Sequence, residues 1–150
     1  METPTYLQNY QTVVDALGYW PRFHDGEVRS LVMDRNRILF DNIADARIEL
    51  VIHAWELSDK ANEKGHLTLS KHHLVQFEFF NVRDVVLKDF NHQNAILGLT
   101  FTDHVTDPAG NHTFKVTLEP ANGLHGSFTA FGGRVVSVTP CDKNGKAEEV

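Results

Sequence analysis

The residues with the most chemical potential lie together in one run, Tyr19-Trp20-Pro21-Arg22-Phe23-His24-Asp25-Gly26-Glu27-Val28. The run sets a His-Asp pair and a glutamate among bulky aromatic side chains. Such polar groups must be hydrogen-bonded, ligand-bound or exposed, so the run is the first candidate for a functional site. Asp25 and Glu27 are two residues apart and would share one face of an extended strand, an arrangement that could serve acid–base catalysis.

The same run has a structural interpretation, which we favour. Asp25 would cap the turn and Glu27 would bond a neighbouring strand. Trp20 and Phe23 would pack against one end of a sheet and close it. His24 and Asp25 would lie together there, mostly covered. The functional alternative is an aromatic-rimmed recognition patch, because tryptophan and tyrosine with charged neighbours often anchor protein interfaces.

Nine histidines invite a metal interpretation, but the sequence around them lacks His-Glu-x-x-His and paired cysteines. They are His24, His53, His66, His72, His73, His92, His104, His112 and His125. Neighbouring histidines on a strand, such as His72 and His73, point to opposite faces and cannot share an ion. No pattern gives Ser127 or Cys141 a catalytic base. We therefore expect scattered surface and hydrogen-bonding histidines, with no metal, cofactor or catalytic residue.

Composition favours one cytoplasmic domain. A chain of 150 residues with 41% hydrophobic content can bury a core without cross-links. Its net charge of −6 argues against a nucleic-acid partner. The single cysteine, Cys141, forbids an intrachain disulfide and suits a reducing compartment. The chain start shows no leader pattern, and no apolar run reaches the ~18 residues of a membrane span.

The hydrophobic pattern changes period once along the chain. Apolar residues at helical spacing predict a helix over residues 5–17, capped by Gly18. A period of two from Glu27 onward predicts strands at 28–33, 37–40, 46–57, 72–80, 82–87, 95–102, 113–119, 127–131 and 134–139. These alternate with turns at the spacing of an antiparallel sandwich or strongly curved sheet. We expect one mainly β domain over residues 1–141, with a frayed tail at 142–150.

Several details of the pattern make sharper predictions. Asp34-Arg35-Asn36 predicts a hairpin between the first two strands, and Gly132-Gly133 predicts another between the last two. A polar loop is predicted at 58–65. In the third predicted strand Ile48, Leu50, Ile52 and Ala54 share one face, and the opposite face is mixed, ending at Trp55. In the strand at 95–102, Ala95, Leu97, Leu99 and Phe101 are predicted to share one face.

A set of short motifs resembles the immunity protein 50 family. They are Trp20-Pro21-x-Phe23-His24-Asp25-x-Glu27-Val28, Phe90-Asn91-His92-Gln93-Asn94, Leu118-Glu119-Pro120 and Gly123-Leu124-x-Gly126-Ser127-Phe128. Proteins of that family are encoded near bacterial polymorphic toxins and are inferred to neutralise a toxin by binding it. The resemblance spans roughly residues 18–141 and marks Trp20, Phe23, His24, Asp25, Glu27, His92 and Asn94 as family-type positions.

The sequence therefore predicts a non-enzymatic binding protein that resembles a toxin-neutralising immunity protein, with a cognate protein toxin as its partner. The best candidates for exposed binding anchors are Trp20 and Trp55. Two alternatives stay open. One is a small metal- or carboxylate-dependent enzyme that uses His24, Asp25, Glu27 and His92. The other is a ligand-binding scaffold protein without a toxin partner.

Overall fold

A computed structural model describes residues 3–38, 44–61, 63–65 and 67–147. Within these residues one helix, α1, spans Tyr10–Leu17, and eight strands follow it. The strands are β1 (Glu27–Ile38), β2 (Ala44–Ala61), β3 (Leu67–Phe80), β4 (Arg83–Lys88), β5 (Ala95–Thr106), β6 (His112–Asn122), β7 (His125–Ala130) and β8 (Gly132–Pro140). His66 and residues 148–150 of the predicted tail lie outside the described residues.

All eight strands belong to one antiparallel sheet, in the order β4-β7-β6-β5-β1-β2-β3-β8, which is not closed into a barrel. This confirms the predicted fold class. The pairing between β1 and β5 is short and joins Glu27 to Ala95. The sheet therefore consists of two four-stranded halves that meet at this junction, so the sheet can bend sharply there.

The core lies between the two halves. Alternating apolar residues of β2, β3 and β6 are fully buried, as their period of two predicts. The Phe79 ring of one half lies 6.3 Å from the Phe114 ring and 5.2 Å from the Phe128 ring of the other half, measured between centroids. The sheet is thus curved enough for its inner faces to pack on each other.

The helix is shorter than the predicted range of 5–17, because the preceding backbone bonds to the sheet instead. The Gln8 N–H donates to the Gly133 carbonyl, and the Gln8 carbonyl accepts from Val135 N–H. Asn9 adopts a left-handed conformation before the first helical residue. The predicted cap is present, since Gly18 has a φ of 89° and its N–H donates to the Val14 carbonyl.

The two hairpins predicted from short polar or glycine runs are both wrong. Asp34-Arg35-Asn36 forms an irregularity inside β1, which runs on to Ile38 against β2, and residues 39–40 lie outside the described residues. The strands β7 and β8 lie on opposite halves of the sheet. Gly133 instead allows close packing, because a Cβ there would lie 2.9 Å from a Phe79 ring carbon.

Two further expectations need correction. The loop predicted at 58–65 begins later, because β2 continues to Ala61. In β5, Leu97 is 47% exposed, whereas Ile96 and Leu99 are fully buried. A register shift between Ile96 and Gly98 explains this, since one extra residue reverses which side chains face the core.

Substitution of two glycines should distinguish the energetic cost of a strained backbone conformation from the cost of steric crowding. Gly110 and Gly126 both have a positive φ, of 88° and 135°. An alanine Cβ at Gly110 would meet open space, so Gly110→Ala should lower the free energy of unfolding by about 1 kcal/mol. At Gly126 the Cβ would meet the Val86 carbonyl oxygen, and Gly126→Ala should cost about 2 kcal/mol more. Urea unfolding of both variants tests this, and equal losses would contradict it.

Candidate functional site

The candidate site is a groove beside the segment that leads from α1 to β1. This segment crosses the end of the sheet with its backbone fixed at two points. The Leu99 N–H donates to the Arg22 carbonyl at 3.1 Å, and the Asp25 N–H donates to the Ile96 carbonyl at 2.9 Å. The segment is therefore a fixed edge of the groove.

Trp20 and Phe23 attach this segment to the core. The Trp20 ring makes edge contacts with the rings of Phe23, Phe77 and Phe101, with centroids about 6 Å apart. Trp20 is only 6% exposed, so the prediction of an exposed anchor at this position is wrong. Its indole N–H has no hydrogen-bond partner among the described residues.

The groove has a volume of about 360 Å³. Its lining combines aromatic and charged side chains: Tyr19, Pro21, Arg22, Phe23, His24, Asp25, Trp55 and Glu56. Four of the residues proposed from the sequence therefore share one hollow, although Trp55 is about thirty positions from the others. Sequence reasoning did not identify Tyr19, Arg22 and Glu56 as site residues. The available signal was their closeness in the sequence to Trp20 and Trp55.

One wall of the groove is a hydrogen-bonded network around Glu56. Burial, then the hydrogen bond from its hydroxyl to Glu56 and the Glu56 charge, raise the pKa of Tyr19 to about 12. The Lys71 ammonium lies 3.1 Å from the Glu56 carboxylate and also donates to the Leu17 carbonyl. Lys71 thus connects the end of α1 to β2. These bonds hold the Tyr19 ring at the groove edge.

Trp55 lies on the outer face of β2, over a pair of histidines. The ring centroids of Trp55 and His53 are 4.9 Å apart, and His53 Nε2 lies 3.0 Å from His72 Nδ1. Burial, followed by the charges of His72 and Arg29, lowers the pKa of His53 to about 4. A neutral, packed His53 is a stable support for the Trp55 ring.

His24 and Asp25 form the tip of the segment. His24 Nδ1 lies 3.1 Å from Asp25 Oδ2, so the two side chains are together as predicted. Their side chains are 62% and 59% exposed, however, and the prediction that they are mostly covered is wrong. The left-handed conformations of Phe23 and Asp25 explain the exposure, because they turn the chain outward at His24. They also remove Asp25 from the strand, so it does not share a strand face with Glu27.

Glu27 and Asn94 have a different role from the groove residues. The Glu27 carboxylate accepts the Asn94 backbone N–H at 2.8 Å. The Asn94 side chain is buried, and its Oδ1 accepts the N–H groups of Asn91 and Leu124. Asn94 therefore closes the 91–94 loop at the junction of the two halves, while His92 is exposed on that loop.

The residues considered from the sequence for acid–base chemistry are divided between two places. The carboxylate of Glu27 accepts a backbone N–H from Asn94, while His24 and Asp25 pair at the exposed tip of the segment. Among the described residues, no group of three or more His, Cys, Asp and Glu side chains is placed to hold a metal ion. The groove itself offers ring faces, charged groups and an imidazole at one surface.

Comparison of the chain with protein-family models, with curated proteins and with solved structures finds no match. Within the described part of the chain, no helix is long and apolar enough to cross a membrane. The groove and the residues around it are therefore the basis for a functional proposal.

Two substitutions should distinguish the structural residues from the exposed ones. Asn94→Ala removes a buried amide that satisfies two N–H groups, and should lower the free energy of unfolding by about 2–4 kcal/mol. Asp25→Ala removes an exposed pair and should cost no more than about 1 kcal/mol. Denaturant unfolding measures both. A loss for Asp25→Ala as large as that for Asn94→Ala would contradict this assignment.

The low pKa of His53 predicts a pH dependence of stability. The unfolded chain protonates this histidine below about pH 6.5, whereas the folded chain does so only near pH 4. Stability should therefore be complete well above pH 6.5 and fall, by on the order of 3 kcal/mol, as the pH drops through this window. His53→Gln should flatten the decline, measured by urea unfolding at several pH values. A decline in His53→Gln as steep as in the wild type would contradict this prediction.

Proposed function

We propose that this chain is a cytoplasmic, non-enzymatic binding protein that neutralises a protein toxin, and that the groove lined by Tyr19, Phe23, Trp55 and Glu56 is part of its binding surface. The observation that supports this is the position of Phe23, His24 and Asp25 in the groove wall. These are residues at which the sequence resembles the immunity protein 50 family. The groove joins them to Trp55, which was selected independently as an anchor.

The composition of the groove is suited to protein recognition. Interface cores are enriched in aromatic residues and surrounded by polar side chains. Here Tyr19 and Trp55 offer partly exposed rings, and Arg22, His24 and Asp25 are exposed beside them. A single long or aromatic side chain of the partner would fit a hollow of about 360 Å³.

The backbone of the groove edge supports the same conclusion. Phe23 and Asp25 have φ values of 59° and 62°, a conformation that is uncommon for a bulky residue such as phenylalanine. Conformations of this kind concentrate at ligand-binding segments, where surrounding contacts maintain the strain. The buried Phe23 ring supplies such contacts, and the result is a fixed presentation of His24 and Asp25.

Charge would assist the encounter and contacts in the groove would hold the complex. The net charge of −6 would draw a basic toxin towards the protein and speed association at low salt. This chain, once bound, would block the toxin by covering its active surface. Affinity would depend on a few buried anchors, as in most protein interfaces.

Truncation of the groove aromatics tests this proposal. Tyr19→Ala and Trp55→Ala should each weaken binding by about 30-fold, the loss typical of a central anchor. Phe131→Ala is the matched control, because Phe131 is an exposed aromatic residue on the connection between β7 and β8 and should leave affinity unchanged. The measurement is calorimetry with an inactivated form of the toxin encoded beside this chain.

Co-expression with the active toxin gives the cellular readout. The wild-type chain should restore growth, and both groove variants should do so less well at equal protein levels. Failure of the wild type to restore growth, with no complex at micromolar concentration, would refute the proposal for that pair. Unchanged affinity in both groove variants would place the interface elsewhere. Thermal melts of all variants establish that they are folded.

A further inference from the structure

The outer end of the β5–β6 hairpin brings three polar side-chain atoms together. His104 Nε2 lies 2.9 Å from His112 Nδ1. The Thr106 hydroxyl oxygen lies 3.3 Å from the same His112 nitrogen and 3.5 Å from the His104 nitrogen. The three atoms form a small triangle on one face of the hairpin, next to the turn at residues 107–111.

A bulge in β5 creates this triangle. Thr102 pairs with Lys115, but Val105 pairs with Thr113, so β5 has one extra residue between these two pairs. Asp103, within the bulge, has a left-handed φ of 56°. A regular strand would place Asp103 and Val105 on the face of Phe114 and His112. The extra residue places His104 and Thr106 on that face instead.

An aromatic residue fixes the position of the His104 ring. The Tyr6 ring stacks on it with centroids 3.8 Å apart and planes inclined by 14°. Tyr6 in turn contacts the ring of Phe114, whose side chain is fully buried. The imidazole pair is therefore supported from the core although it lies at the surface, so less freedom is lost when both rings bind one ligand.

We propose that His104 and His112 form a binding site for a late first-row divalent cation of the Zn²⁺ and Cu²⁺ class. Two nitrogens about 2.05 Å from one ion are about 2.9 Å apart at a right angle and about 3.3 Å apart at the tetrahedral angle. The observed separation of 2.9 Å falls at the short end of this range. Binding of one ion by both rings requires both of these nitrogens to be without a proton, so each neutral ring then carries its N–H on its other nitrogen.

The surroundings leave the remaining coordination positions accessible. His104 and Thr106 are exposed and His112 is partly exposed, so water or a further ligand can reach the pair. His104, without His112, also lines a surface hollow of about 330 Å³. The Thr106 hydroxyl can bond a metal-bound water. Two imidazoles favour Cu²⁺ and Zn²⁺ over Mg²⁺ and Ca²⁺, which prefer oxygen ligands. With two protein nitrogens the site binds reversibly, unlike a structural site with four protein ligands.

The other imidazole pair of the described chain lacks these properties. His53 and His72 have a nitrogen separation of 3.0 Å, but His53 is only 2% exposed. The positive charge of Arg29 also acts on His53, and a dication there would be repelled by it. The proposal therefore applies to the hairpin pair alone, and the buried pair supplies an internal comparison.

Calorimetry of untagged, chelator-treated protein with ZnCl₂ tests the site. The expected result is one equivalent bound, with no binding of MgCl₂. His104→Gln and His112→Gln should each weaken binding by about tenfold or more, because loss of even an outer partner of a ligating histidine costs about 10–100-fold. His73→Gln is the control, since its ring contacts the Lys71 carbonyl away from this hairpin. It should bind Zn²⁺ like the wild type.

Two outcomes would overturn the proposal. One is the absence of Zn²⁺ binding at millimolar concentration by a folded wild-type protein. The other is binding that survives both hairpin substitutions and is lost in His72→Gln, which would assign the ion to the buried pair. A second measurement is independent of affinity: substoichiometric Cu²⁺ should broaden the imidazole proton resonances of His104 and His112 first. Earlier broadening at any other histidine would refute the assignment.

Discussion

The buried amide of Asn94 is the constraint on which the shape of this protein depends. The two halves of the sheet meet at Glu27 and Ala95, next to this residue. Its backbone N–H donates to the Glu27 carboxylate, and its backbone carbonyl accepts from Val28 N–H. Its side-chain oxygen uses both acceptor positions, on Asn91 and Leu124. Because an unpaired buried amide is costly, the start of β1, the 91–94 loop and the connection from β6 to β7 are held together.

The junction around Asn94 also determines the geometry of the groove. Gly26 precedes β1, and its carbonyl accepts from Ile96 N–H, while Asp25 N–H donates to the Ile96 carbonyl. A Cβ at Gly26 would lie 3.0 Å from the Phe23 carbonyl and 3.1 Å from an Ile52 methyl carbon, which explains a glycine here. The junction therefore fixes the end of the segment that presents His24. Because this edge is preorganised, little of its conformational entropy would be lost when a partner binds.

The sequence predicted the sheet well where the period of two was unbroken. Residues such as Leu50, Phe77 and Val116 are fully buried because alternation is a local property of a regular strand. The sequence-based prediction failed at irregularities, such as the bulge beside Leu97. One inserted residue there reverses which side chains face the core, and the composition gives no signal of it. The pairing partners of β7 and β8 were also missed, because tertiary contacts decide which strands meet.

The candidate site shows the same contrast between what the sequence predicted and what it did not. The run from Tyr19 to Glu27 was recognisable from its residue types, but its separation into core, groove and junction residues was not. Trp20 packs in the core, and His24 points outward because of backbone conformations at Phe23 and Asp25 that apolar patterning does not encode. Trp55 joins the groove through the pairing of β1 with β2, which places Glu27 opposite His53. Long-range strand register thus determined which of these residues became neighbours.

Two histidine pairs in this fold show how environment decides the chemistry of a side chain. Their nitrogen separations, 3.0 Å and 2.9 Å, are nearly the same. In the outer face of β2 and β3, burial and Arg29 disfavour any added positive charge on His53, so its imidazole serves as neutral packing beside Trp55. On the β5–β6 hairpin the pair lies at the surface, where the Tyr6 ring stacks on His104 and His104 lines a hollow. The same two side chains are thus structural in one place and available to a ligand in the other, because burial and nearby charge set the cost of a cation.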